Sequence, residues 1–311
     1  MSARQRFERY MAHLAEGLGH LDRHAGLNDY CTGLMLPLSR KSVEPMAARV
    51  DPLHASARHQ SLHHFVAKAE WSDAQMLRRV SQWVVPQMDL SAGAFWIIDD
   101  TGFPKKGKHS VGVARQYCGV LGKQDNCQVA VSISLASEQA SVPVAYRLYL
   151  PKAWAEDARR RNKAGVPTEV NFATKTQIAL EQLESLLGEG APKYCVLADA
   201  AYGVDQAFRQ RLTDLGLPYV VGITSSVVVW PAGLEPLAPK RYSGRGRPPL
   251  MPRRSRSRQP VSVKDLAQAL APSAFQNDQL APGHQPNTQR ALCCPARTPC
   301  RRKHRQGAPA P

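Results

Sequence analysis

The chain has 311 residues, room for two ordinary domains or one large domain with an appendage, and 43% of them are hydrophobic, enough for a sizeable core. No run of eighteen apolar residues occurs, and the opening MSARQRFERYMAHLAEG is charged and helix-patterned, which argues against an apolar membrane helix and a secretory leader and sets the expectation of a cytoplasmic protein. The formal charge of +16 is unevenly spread: of 41 basic and 25 acidic residues, fifteen and two lie from Lys240 onward, leaving 26 and 23 before it. A near-neutral body with a basic extension points to a polyanionic partner, because each Lys or Arg that neutralises a phosphate releases counterions. A merely solvated tail has the same composition. Cys31, Cys118, Cys127 and Cys195 lie far apart, while Cys293, Cys294 and Cys300 crowd the end of the chain. None has zinc-site spacing, and the first four are expected to be buried, inert thiols in a reducing compartment.

In chain order, residues 1–88 read as a helical region. Phe7, Tyr10, Met11, Leu14, Leu18 and Leu21 repeat at helical spacing. A later helix is predicted from an N-cap at Ser72, with Met76, Leu77, Val80 and Val84 facing inward, ending before Pro86. His54, His59, His63 and His64 sit between these helices and read as solvated helix-face residues, with a metal site as the alternative. From Ala94 the texture becomes β-rich: AFWIIDD is an apolar strand ending in two acids, and 112–119 and 129–135 are strand candidates. A polar connection, KAWAEDARRRNKAGVP, precedes a helix over 175–187 with Ile178, Leu183, Leu186 and Leu187 inward. KYCVLADAAYG is a second apolar strand ending in an acid; a helix over 204–215 and a strand at PYVVGI follow. From Lys240, KRYSGRGRPPLMPRRSRSRQ has the composition of an extended arm, SVKDLAQAL reads as a short helix, and periodicity stops after Gln276.

Three sequential strands, a helix, a strand, a helix and a strand is the element order of an RNase H-like fold. The predicted class is therefore α/β: an RNase H-like mixed sheet with flanking helices, a helical region before it and a basic, disordered tail after it. The division expected is 1–88 helical, a candidate for DNA-end binding, 89–239 the sheet-bearing core, 240–276 a basic arm and the start of an insertion region, and 277–311 a disordered, out-of-frame tail.

Asp99 and Asp100 end the first strand, and Asp199 follows the later one. In such a sheet the two strands are neighbours, so their ends converge. Paired carboxylates repel unless a hard cation lies between them. Two Mg²⁺ ions there activate an attacking hydroxyl and stabilise the leaving oxygen of a phosphodiester. Side chains alternate along a strand, so only one of Asp99 and Asp100 can join such a site. On the residues alone, the commoner reading of such acids is as ordinary turn-formers or caps.

IIDDTGFPKKGKHSVGVARQYCGVLGKQDNCQVAVSISL resembles the first catalytic segment of the DDE superfamily endonucleases of bacterial insertion sequences. The resemblance continues through VPVAYRLYLPKAWAEDARRRNKAGVP, KYCVLADAAYG and GRGRPP followed by VSVKDLA, and reaches back to YCTGLMLPLSRKSVEPMAAR and RHQSLHHFV, so it spans about Tyr30 to Gln276. It implies a DNA transposase that cleaves and joins double-stranded DNA at insertion-sequence ends and target, using Mg²⁺ or Mn²⁺, with self-association on DNA and a nucleoid location. Carried over by position, the two aspartates fall on Asp100 and Asp199 as catalytic and metal-binding residues, facing each other while Asp99 points away. Arg115, Gln116, Tyr117, Asn126 and Gln128 match a characteristic segment; phosphate or metal-shell contact is expected for Arg115 and core hydrogen bonding for Asn126. Lys105 and Lys106 after the first strand are candidates for DNA phosphates, with a solvated turn as the alternative. So are Lys240, Arg241, Arg245, Arg247, Arg253 and Arg254 of the arm, where GRGRPP resembles an AT-hook core that lies in a narrow minor groove. Deleting 240–258 is expected to remove most of a salt-sensitive DNA binding.

The family uses a third carboxylate, a Glu on a downstream helix, and beyond Gln276 no Glu occurs. Three readings stay open at this point: an active transposase, a DNA-binding remnant or regulator without catalysis, and an unfolded product of a damaged, truncated or frameshifted element. A frame change is expected at Asn277. Read one nucleotide later, the degenerate codons of 277–285 permit Thr-Ile-Ser-Trp-Arg-Gln-Gly-Thr-Asn, a segment of the kind that follows the short helix in this family. The nucleotide sequence past codon 277 tests that expectation.

Overall fold

The computed structural model describes residues 1–247 and 250–271. Expectations about the tail from Asn277, its cysteines included, and about Pro248 and Pro249 lie outside the described residues. The chain divides into two compact units: one holds Met1–Leu197 with Gly216–Tyr219, the other Ala198–Leu215 and the chain from Val220.

The first unit opens with five helices. α1 (Ala3–Ala15) starts in a capping box, the Ser2 hydroxyl accepting the Gln5 N–H and the Gln5 side chain accepting the Ser2 N–H. α2 (Asp22–Met35), α3 (Val43–Val50), α4 (Ala55–Ala67) and α5 (Asp73–Val84) follow. Ser72 caps α5 as expected, accepting from the Gln75 N–H. Met11, Leu14, Leu18, Leu27 and Phe65 form the helical core, with Met76 and Val80 packed against it. Leu21 is an exception to the helical spacing and is 77% exposed. The reason is that α1 gives way to a 3₁₀ turn (Glu16–Leu18) closed by Gly19 at φ 72°, so the helical period does not reach Leu21. Gly26 of α2 lies so close to α4 that a Cβ there would sit 2.8 Å from the Phe65 ring. His63 and His64 are exposed on α4.

The sheet follows. β1 (Phe95–Pro104), β2 (Ala114–Cys118), β3 (Lys123–Ala136) and β4 (Ser141–Leu148) precede α6 (Lys152–Ala155), α7 (Ala158–Ala164) and α8 (Lys175–Gly188); β5 (Cys195–Ala198) and β6 (Tyr219–Val221) complete it. The strand order is β2-β3-β1-β5-β6, with β4 also on β3. β3 is antiparallel to β1, β2 and β4. β2 pairs with Lys123–Cys127, and β4 with Ala130–Ala136 on the edge away from β1. The three sequential strands of the RNase H-like order are thus β1, β3 and β4, while β2 extends the free end of β3. β4 carries Pro143, which an edge strand tolerates, and its polar residues mask its strand character in the sequence. The stretch read as a polar connection contains α6 and α7, anchored by Trp154, which is 1% exposed.

The second unit contains α9 (Ala200–Gly203), α10 (Gln206–Asp214), a two-stranded ladder of β7 (Val228–Val229) with β8 (Val261–Ser262), and α11 (Val263–Ala269). Asp205 splits the helix expected over 204–215 by capping α10, its carboxylate accepting the Ala207 and Phe208 N–H groups. Among the described residues no helix is long and apolar enough to cross a membrane.

Candidate active site

Alternation along β1 sorts its acids. Trp96 and Ile98 are buried on one face, and Asp100 continues that face half-buried; Asp99 is exposed on the other. The Asp99 carboxylate accepts the Asp100 N–H at 2.7 Å. Over the Asp100 face lies the first turn of α8, where Lys175 Nζ donates to Asp100 Oδ2 at 2.5 Å. The two side chains are 31% and 24% exposed. The Lys175 ammonium also stands 5.7 Å from the centre of the Tyr149 ring, which meets Phe172 edge-on.

Three further features fix α8 in that register. A capping box joins Thr174 and Gln177 at its start. Gln182 Nε2 donates to the Val131 carbonyl at 3.3 Å, and Arg147 pairs with Glu181. Val131 is the β3 residue opposite both Asp100 and Arg147, so one cross-strand row carries the helix. Sequence reasoning missed Lys175 as a partner of Asp100. The signal present was the Thr174-x-x-Gln177 capping pattern, which starts the helix at that lysine.

The turn after β1 is held by Asn126. Its side-chain amide donates to the Lys105 carbonyl at 2.6 Å and the Gly107 carbonyl at 2.8 Å, and the Lys105 N–H returns to the Asn126 carbonyl at 2.9 Å. Lys105 and Lys106 are left exposed at this turn. Gln128 donates to the Val111 carbonyl at 2.6 Å and Gln116 to the Cys127 carbonyl at 2.9 Å, so these amides knit β2, β3 and the loop before β2. Arg115, opposite Asn126, is exposed, as is Tyr117. Beside them Cys118 and Cys127 are fully buried free thiols. Burial, with Cys118 next to it, pushes the Cys127 thiol up to about 11. Cys31 and Cys195 are half-buried thiols in no disulfide, and burial also raises the Cys31 thiol.

In the second unit Asp199 caps α9, its Oδ1 accepting the Ala201 N–H at 2.9 Å. Lys240, Arg241, Arg245 and Arg247 are exposed, and the Tyr242 hydroxyl donates to the Gly246 carbonyl across this turn. Arg253 is held by backbone bonds to Leu237 in both directions, and its Nε donates to the Ala238 carbonyl at 3.1 Å; Arg254 beside it is exposed. Asp100 belongs to the first unit and Asp199 with the arm to the second. Among the described residues no three or more His, Cys, Asp or Glu side chains gather as a metal cluster.

The sequence matches the family described as DDE superfamily endonuclease over residues 13–287, a longer span at both ends than the motifs alone delimit. It is also similar to a probable transposase for insertion sequence element IS701 from Microchaete diplosiphon, at 33% identity over 195 residues. That alignment covers 62% of this chain and 47% of the relative, so the match spans about half of the relative's length. With the family's sequence pattern running through the helical region, the sheet and the carboxylate-bearing strands, the chain belongs to the DDE superfamily endonucleases.

Proposed function

We propose that the chain acts on double-stranded DNA as a transposase, with Asp100 and Asp199 as the carboxylates that hold the divalent cations of strand cleavage and transfer. The observation that carries this reading is the Asp100 carboxylate, half-buried on the central strand and already holding a cation, the Lys175 ammonium, at 2.5 Å. A carboxylate that a protein half-buries and neutralises is a hard oxygen donor suited to Mg²⁺ or Mn²⁺. The pairing with Asp199 is supported by the sheet order, in which β5 is bonded next to β1, and by Asp199 following β5 directly. One oxygen of Asp199 serves the cap of α9, which orients the carboxylate and leaves the other oxygen as a donor. When bound, the metal ions supply Lewis acidity to the attacking and leaving oxygens of a phosphodiester. The chain's own contribution is to fix the carboxylates: the Asp99 side chain on the Asp100 N–H, Lys175 at the start of α8 on the Asp100 carboxylate, and the cap at Asp199.

Of the three acids the family employs, residues 277–311 contribute no Glu for the last. The 311-residue polypeptide is accordingly proposed to bind DNA, through the arm residues from Lys240 and the turn lysines Lys105 and Lys106, without completing strand transfer. The test combines duplex binding with plasmid nicking in Mg²⁺ and Mn²⁺. Binding without nicking is expected. Metal-dependent nicking that Asp100→Asn and Asp199→Asn both abolish would overturn the impairment and keep the site. Nicking indifferent to both substitutions would overturn the carboxylate assignment, and a chain that binds no duplex would overturn the DNA reading itself.

A further inference from the structure

The near-neutral body of the chain hides a segregated surface. Residues 105–109 (KKGKH) and 158–164 (ARRRNKA) together carry seven Lys or Arg and no acid. They are fifty residues apart in sequence, yet one contact joins them: Arg160 of α7 donates to the Lys108 carbonyl at 2.7 Å. The same guanidinium lies 3.7 Å from the centre of the Trp154 ring, and Trp154 is buried with its Nε1 bonded to the Val113 carbonyl at 2.8 Å. Arg161 is likewise committed inward, to the carbonyls of Ala155 and Pro167. On the other side, Asn126 clamps the turn at the Lys105 and Gly107 carbonyls. Arg160 therefore fastens the helix to the turn, while Arg161 braces the helix and Asn126 braces the turn.

Left pointing outward are Lys105, Lys106, Lys108, Arg159 and Lys163, all exposed. The nearest acids in sequence are used locally: Asp157 caps α7 through the Arg160 N–H, and Glu156 pairs with Lys152. A fixed group of cations with no acid among them is an electrostatic footprint for a polyanion. Lys105, the residue after β1 ends, lies five residues beyond Asp100, at most roughly 17 Å at about 3.3 Å per residue. A duplex whose backbone follows this surface passes close to the carboxylate.

We infer that the turn at 105–109 and helix α7 form a single basic platform that binds the phosphate backbone of double-stranded DNA beside Asp100, with Arg160 as the residue that locks its two halves together. The inference rests on the transposase reading and adds the surface that holds the DNA. Contacts from lysines and an arginine to phosphates carry no base information, so binding here is independent of sequence.

The experiment uses the full chain and a fluorescent duplex of arbitrary sequence in a salt titration. The parent is compared with a variant carrying K105Q, K106Q, K108Q, R159Q and K163Q. Removing one phosphate-bound cation lowers the salt slope of log K by about 0.9, so a drop of up to about 4.5 for the five and at least about tenfold weaker affinity are expected. A variant with the parent's slope and affinity overturns the platform while leaving the transposase reading intact. A parent that binds no duplex at any salt overturns both. A second measurement needs no variant: lysine acetylation of the parent, read by mass spectrometry with and without duplex. Protection of Lys105, Lys106, Lys108 and Lys163 is expected, and equal labelling in both samples overturns the inference.

Discussion

Replacing Lys175 with methionine separates two roles that a cation on Asp100 can have. Methionine keeps an unbranched stem against Tyr149 and removes only the charge. The pair is intermediate between a surface salt bridge, worth about 0–1 kcal/mol, and a buried one, whose breakage costs about 3–5 kcal/mol. With side chains 31% and 24% exposed and a 2.5 Å contact, a net cost of about 1–2 kcal/mol is reasonable for the metal-free protein. For a unit of this size that lowers the melting temperature by about 2–8 °C. The same energy opposes a metal ion that must displace the ammonium from Asp100. Its removal is therefore expected to tighten Mn²⁺ binding by about 5- to 30-fold, since about 1.4 kcal/mol is a factor of ten. Calorimetric titration with Mn²⁺ at neutral pH reads this directly, and the K175M melting temperature should recover on adding the ion. If K175M binds Mn²⁺ no more tightly than the parent, Lys175 does not occupy the metal's place and the stand-in argument fails. D100N should lose the high-affinity binding in either background.

Other consequences follow from single contacts. Asn126→Ala removes two hydrogen bonds from the turn after β1 and is expected to cost about 1–3 kcal/mol, seen as a lower denaturation midpoint. Gly203→Ala would place a Cβ 1.9 Å from the Gly222 carbonyl oxygen and 2.9 Å from Val221 Cβ, so the backbone must move; a destabilisation of about 2 kcal/mol or more, or no soluble protein, is expected, and a fully stable variant would contradict the packing. The Cys127 thiol, raised from 9.0 to about 11, stays protonated in the folded chain while an unfolded chain ionises near 9. Unfolding then releases a proton, so this group's contribution is intact below about pH 9 and is lost as pH rises from about 9 to about 11. Thermal melts across that window should show the decline, weakened in Cys127→Ala. At pH 8, iodoacetamide should label Cys127 far more slowly in the folded chain than in urea.

Helices with a cap and a one-sided apolar stripe were legible: Ser72 and the stripe to Val84 define α5, and Lys175 opens α8. β1 and β5 were legible as apolar runs between polar turns. β4 was not, because an edge strand with one buried face carries Ser141, Pro143 and Arg147 without a clean alternation. α6 and α7 were hidden for a related reason. They are short, and one side chain, Trp154, supplies the burial that periodicity would otherwise announce. Leu21 was misplaced because a left-handed glycine at Gly19 ends the helical register, a feature that the apolar spacing does not contain. At the candidate site, the acids Asp99, Asp100 and Asp199 were visible as residues, but their partners were not. Lys175 is 75 residues from Asp100, and nothing local in the sequence marks a tertiary ion pair.

The charge count carries the same lesson in a form that can be measured. Before Lys240 the chain holds 26 basic and 23 acidic residues, which suggests a body with little affinity for DNA and leaves the work to the arm. The acids, however, are largely consumed by the fold: Asp157, Asp199 and Asp205 cap helices, while Asp29, Glu16 and Glu181 pair with Arg58, Arg79 and Arg147. The cations of 105–109 and 159–163 have no acids among them, so positive charge gathers on these two segments even though the sum is near zero. Deleting 240–258 removes eight cations and leaves the platform's five outward-facing ones, together with Lys264 and the six bases of 290–305. The truncated chain is thus expected to bind duplex more weakly and with a shallower salt slope, yet to keep a residual slope of roughly 3 to 5, at about 0.9 for each phosphate contact that remains. Adding the five platform substitutions to the truncation should lower that residual slope by up to about 4.5, at about 0.9 for each cation removed. A truncated chain that already shows no salt-dependent binding would place all the affinity in the arm, and the charge count of the sequence would have been the better guide.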